Sequence, residues 1–210
     1  MEINGRIKFK NQTSNPGSPA EGDVYYNSTD KKLKVYDGSN FGNVGSGLSQ
    51  IATATTSGNA TSVTFSSLSN LRMVVIYGGF RKSAVGDLRV TINGLSTLYN
   101  MGVIKRSSTS SVTGLEGRNK AYWALTGDES SAQYYSHSLN MMITAAKATT
   151  GIDPTASIWS QLTSHDGTDI IYYQSAGFIE SDAISNITSV TISLSAGYFT
   201  NNSYFVLLGV

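Results

Sequence analysis

Few residues in this chain have the types and spacing needed for acid–base or metal chemistry. His137 and His165 are its only histidines, and it has no cysteine. His165-Asp166-Gly167-Thr168-Asp169 sets an imidazole beside two carboxylates, groups that hold a metal or move a proton. One His and two Asp fall short of a ligand set, and Asp, Gly and Thr are turn formers, so a surface turn is expected there. Asp128-Glu129 supplies adjacent carboxylates, whereas glycoside cleavage needs two held at a defined separation. After Gly127 they read as a solvated loop. The chain has no Gly-x-Ser-x-Gly elbow, no phosphate-cradling glycine loop with Lys and no EF-hand spacing. The expectation is a protein that is not an enzyme, with no metal and no cofactor.

Binding chemistry has more material. Tyr122-Trp123, Tyr134-Tyr135, Trp159 and Tyr172-Tyr173 put aromatic rings near strand ends, with Asn, Asp, Gln and His close in sequence. Aromatic faces stack on sugar rings, and the polar neighbours can bond hydroxyls. Trp123, Tyr134, Tyr135 and His137 are therefore the candidate ligand-binding residues, for a shallow carbohydrate site on loops. The competing reading is that alternate members of each pair fill a core or an interface.

The elements that would position these residues are strands. Charged residues make up only 14% of the 210, and Ser, Thr, Asn and Gly take their place, a surface that suits exposed β-structure and its turns. Ser62–Phe65, Leu88–Ile92 and Ser189–Leu194 alternate, and Leu71–Tyr77 is a near-continuous apolar run. Asn93-Gly94 is a strong turn signal. Ser138–Ile143, Asp169–Tyr173 and Tyr204–Leu208 are further strands, and Ser157–Leu162 is read as one more. Only Ala145-Ala146-Lys147-Ala148 hints at helix. About eight or nine short strands predict an all-β fold, a jelly-roll-like antiparallel β-sandwich over residues 49–210.

Residues 1–48 form a separate unit, closed by the glycine-rich stretch Gly42–Gly47. Ile3, Ile7 and Phe9 point to a short opening strand, and Pro16 and Pro19 to an extended stretch. Asp23–Asn27 and Leu33–Tyr36 read as a hairpin around the polar turn Ser28–Lys31. Val24 and Tyr26 share one face and Tyr25 takes the other; Leu33 and Val35 oppose Lys34 and Tyr36. A lone two-stranded hairpin is marginal in water, and the flanking Gly, Pro, Ser and Asn offer little cover. The hairpin is thus expected to pack against copies of itself through Val24, Tyr25, Tyr26, Leu33, Val35, Tyr36 and Phe41.

Net charge is +1 and no block of Lys or Arg appears, which gives no electrostatic case for nucleic acid. No run approaches the ~18 apolar residues of a membrane span, and Met1–Arg6 lacks a signal-peptide apolar core. The expectation is synthesis in a cytoplasm.

Asn15–Asn27 followed by Lys31–Phe41 resembles a module of fibre and appendage proteins of tailed bacteriophages, of the form P-x-x-G-D-x-Y-Y-N-x-x-x-x-K-L-x-V-Y-D-G-x-x-W, with Phe41 in place of Trp. Ile187–Phe199 and Ser203–Val210 are similar to the ending of many phage fibre-tip and virion surface domains, with Leu208 where Tyr is common, and Asn59–Leu68 fits their first strand. The resemblance implies a virion structural protein, a homotrimer whose amino-terminal segment attaches to other virion proteins. Its sandwich knob would bind a host-surface glycan receptor. The alternative it leaves open is a capsid decoration or head-fibre protein that ornaments the shell without binding a receptor.

Overall fold

The computed structural model describes residues 9–44, 47–69, 71–107, 113–126, 136–146, 155–165, 170–180 and 184–210, which form an all-β chain in two compact units, Met1–Gly47 and Leu48–Val210.

In the first unit, β1 (Asn11–Gln12), β2 (Val24–Asn27), β3 (Lys32–Tyr36) and β4 (Phe41–Asn43) make one sheet in chain order. The β2–β3 hairpin turns on Asn27, whose Oδ1 accepts the N–H groups of Thr29 and Asp30, both at 2.9 Å. This corrects the expectation of a bare two-stranded ribbon. The flanks add β1 and β4, and they bury Tyr25 to 3% exposure. Its ring meets Phe41 edge-on at 5.0 Å between centroids, and its hydroxyl donates to Asn15. Tyr25 is therefore a core residue of its own unit, not a contact residue between copies. Val24 stays exposed, while Tyr26, Leu33, Val35, Tyr36 and Phe41 are half-buried.

The second unit holds β5 (Ser49–Thr55), β6 (Ser62–Phe65), β7 (Met73–Arg81), β8 (Leu88–Ile92), β9 (Tyr99–Ser107) and β10 (Thr113–Lys120). It continues with β11 (Trp123–Ala124), β12 (Ser136–Ala146), β13 (Thr155–His165), β14 (Ile170–Glu180), β15 (Val190–Leu194) and β16 (Tyr204–Gly209). They form a wide sheet, β10-β9-β14-β13-β12-β7-β16-β5, and a narrow one, β11-β8-β15-β6, both antiparallel throughout. Because side chains alternate along a strand, each sheet sends one set inward. Val74, Ile76, Leu139, Met141 and Ile158 from the wide sheet meet Val63, Val90, Ile92, Val190 and Ile192 from the narrow one in a single β-sandwich core.

Twelve strands among the described residues of this unit exceed the eight or nine expected for it. The additions are β5, β9, β10 and β11. Ala145 and Ala146, read as the start of a helix, end β12 instead. Ala145 faces the core across from Ala156, and that pairing outweighs a weak local preference for helix. Where sheets meet closely, glycine is required. A Cβ on Gly177 would stand 2.9 Å from the Trp123 indole and 2.4 Å from the Asn100 carbonyl oxygen.

The chain enters this unit at Ser49, which pairs with Gly209. The opposite end carries Thr55, Arg81, Ser136, His165, Ile170 and Tyr204, the strand ends from which several connecting loops leave.

Candidate functional site at the loop end of the sandwich

At that far end β7, β12 and β16 finish side by side, with Ser136 across from Arg81 and Tyr204 across from Gly79. Between them opens a cleft of about 400 Å³ whose lining includes Phe80, Arg81, His137, Asn201, Asn202 and Tyr204. One wall is the turn Thr200–Ser203, and it is braced on several sides. Thr200 N–H donates to the Arg81 carbonyl and Asn202 N–H to that of Thr56, each at 2.9 Å. The Thr56 hydroxyl (2.7 Å) and the Ser203 hydroxyl (2.8 Å) both donate to the Thr200 carbonyl. Asn202 takes the left-handed φ of 65°, which Asn tolerates better than most residues. On the facing wall Arg81 Nε donates to Ser136 Oγ at 3.3 Å. Tyr204, 49% exposed, stands at the rim. The result is an aromatic plate surrounded by amide, hydroxyl and guanidinium groups on a fixed backbone.

His137 lies at the floor of the cleft, almost wholly covered at 2% exposure. Its ring stacks on Phe80 at 4.8 Å, Nδ1 is 3.0 Å from Ser164 Oγ, and Nε2 is buried without a hydrogen-bond partner. Burial, and secondarily the charge of Lys82, pulls its pKa down to about 3, so the imidazole is neutral near pH 7. Lys82 is itself 1% exposed. Its Nζ donates to the Gly86 carbonyl at 2.7 Å, and burial lowers its pKa to about 8 against the opposing pull of Asp87. Tyr173 is buried in the same sheet with its hydroxyl unpartnered, and burial raises its pKa. The Ser164–His137 contact has the partners of a nucleophile–base pair, but both are sealed in the core, where no substrate reaches them.

The residues expected to form a sugar site are not brought together. Trp123 is fully buried, its ring edge-on to Tyr99 at 5.0 Å. Its indole fills the core over Gly177, so it offers no surface for stacking, a correction of the sequence expectation. His137 supports the cleft from below. Tyr134 and Tyr135 lie outside the described residues, as do Asp128, Glu129, Asp166 and Asp169. Among the described residues, no group of three or more His, Asp or Glu is placed to hold a metal. The cleft residues that the sequence reading passed over are Arg81, Asn201, Asn202 and Tyr204. The available signal was Asn201-Asn202, a turn pair one residue ahead of a strand that opens on an aromatic residue. Comparison with family models, curated proteins and solved structures returns no match to this chain.

Proposed function

We propose that this chain is a structural protein of a tailed-bacteriophage virion, of fibre type, that binds and does not catalyse. In this reading residues 1–47 attach it to other virion proteins, copies associate as a homotrimer, and the loop-end cleft takes a host-surface glycan. The observation that carries the binding role is the braced cleft of Arg81, Asn201, Asn202 and Tyr204, at the end of the sandwich opposite the entry at Ser49. Its size is in the range of small-ligand sites, and its groups suit a polyhydroxylated ligand. The virion assignment leans on the resemblance of residues 15–41 and 187–210 to phage appendage proteins.

The strand order supports a jelly-roll reading. Setting aside the hairpins β9–β10 and β13–β14 leaves β5-β16-β7-β12 facing β6-β15-β8-β11, two four-stranded sheets between which the chain crosses at every step but β8 to β11. The two hairpins then widen one sheet only.

The test is adsorption. Purified protein is expected to block attachment of the phage to its host, and Tyr204→Ala or Asn202→Gly to weaken that block by about tenfold or more, the equivalent of about 1.4 kcal/mol. Asn202→Gly keeps the positive φ while deleting the amide. Labelling that finds the protein on the capsid, with adsorption unaffected, would replace the receptor role with capsid decoration. Absence from purified particles would overturn the reading altogether.

A further inference from the structure

The outward face of the wide sheet is unlike a solvated surface. The strand pairings align Leu208, Val75, Met142, Trp159 and Ala176 in one row across β16, β7, β12, β13 and β14. The neighbouring row carries Val206 and Tyr77 followed by the uncharged amides Asn140, Gln161 and Gln174, and Phe178 stands on the other side. Tyr77 is 41%, Met142 38% and Phe178 46% exposed. From Met73 to Gly79, Ser138 to Thr144, Ser157 to Thr163, Tyr172 to Phe178 and Tyr204 to Leu208, no residue is charged. Aromatic residues and Met without Lys, Asp or Glu are the composition of an interface core.

We infer that a second copy of this chain covers this face. Two observations favour self-association over another occupant. These five strands are without charge between the stated bounds, so copies brought together round a threefold axis meet across them without like-charge repulsion, and the strands offer no charged group to select a charged partner or ligand. Its size also fits. Five strands about 4.8 Å apart, with four residues per strand about 6.7 Å apart on one side, span roughly 640 Å² in projection. Side-chain relief and the flanking Ile104 bring this near the ~800 Å² per partner of a standard stable interface. This inference locates, and so rests on, the self-association proposed above. It moves the contact from the amino-terminal hairpin, where Tyr25 is already buried, to the sandwich.

The chain has no cysteine, so single thiols report cleanly. Met142→Cys sits in the centre of the face, and Thr64→Cys on the outward side of the narrow sheet is its control. In the full chain at tens of micromolar, sedimentation is expected to give a multiple of 22.4 kDa. Maleimide is expected to modify Cys at 142 about tenfold or more slowly than at 64, with the difference vanishing on dilution to monomer. A multimer in which both thiols react alike would overturn this interface while leaving self-association standing. A monomer would overturn both. The adsorption test reads the cleft, whose Tyr204 borders this face; Asn202→Gly, on the Thr200–Ser203 turn beyond the strands, tests the cleft apart from it.

Discussion

The two sheets of the sandwich are built on opposite plans. The narrow sheet sends Val63, Phe65, Val90, Ile92, Val190 and Ile192 inward and Ser62, Thr64, Arg89, Thr91, Thr191 and Ser193 outward. That is the ordinary division of a sheet with water on one side. The wide sheet departs from it on both faces. Inside, it buries His137, Ser160, Ser164, Ser175 and Tyr173 among its aliphatic side chains. Outside, it exposes Tyr77, Met142 and Phe178. One sheet is explained by its own packing. The other carries polar groups in its interior and apolar groups where water would meet them, so something besides the fold of a single copy constrains it.

Acid is the strongest way to expose this difference. The unfolded His137 has an ordinary pKa of 6.5 and the folded one about 3, so between these values the unfolded state binds the extra proton. Stability contributed by the neutral imidazole is therefore present above pH 6.5 and lost as pH falls toward 3, by about 5 kcal/mol in all. Denaturant melts across that window are expected to show the loss, and His137→Gln to flatten it. A mutant curve parallel to wild type would remove His137 as the cause.

A smaller effect comes from the buried hydroxyl pair Ser160–Ser175, whose oxygens are 2.6 Å apart. Ser160→Ala leaves its partner unpaired and is expected to lower stability by about 1–3 kcal/mol, while the double Ala variant is expected nearer to wild type. A double-mutant cycle checks it, and additive losses would show that the hydroxyls act independently.

The smallest effect is expected on the narrow sheet's outer face. Thr64→Lys replaces a hydroxyl that bonds Thr191 at 3.0 Å. It should change the melting free energy by no more than about 0.5 kcal/mol and leave the sedimenting mass alone. Met142→Lys, the same charge on the wide face, is expected to shift that mass to 22.4 kDa. Equal behaviour of the two lysines would erase the contrast between the sheets.

The all-β class and most strands were legible because alternation survives in segments such as Leu88–Ile92 and Val190–Leu194, where an inner and an outer environment impose different residues. It fails in β10, Thr-Gly-Leu-Glu-Gly-Arg-Asn-Lys, an edge strand with two glycines and three charges, and in β5, whose Ser, Gln, Ala and Thr are mostly exposed. Neither segment covers enough core to pattern its sequence. In β9, Tyr99, Met101 and Val103 do alternate, but Gly102 and the pair Lys105-Arg106 interrupt the signal. The site was less legible still. Trp123 and His137 are chemically suggestive residues that long-range packing buries. Arg81, Asn202 and Tyr204 come together only because β7 and β16 are neighbours, more than a hundred residues apart in sequence. No local window contains that pairing.

The placement of β5 against β16 has a mechanical meaning. A tether pulling at Ser49 while the far end is held draws the two strands past each other along their length. The ladder from Ser49–Gly209 to Thr55–Tyr204 is then loaded in shear, and its rungs must give way together. A strand peeled from its end would surrender them singly, at far lower force.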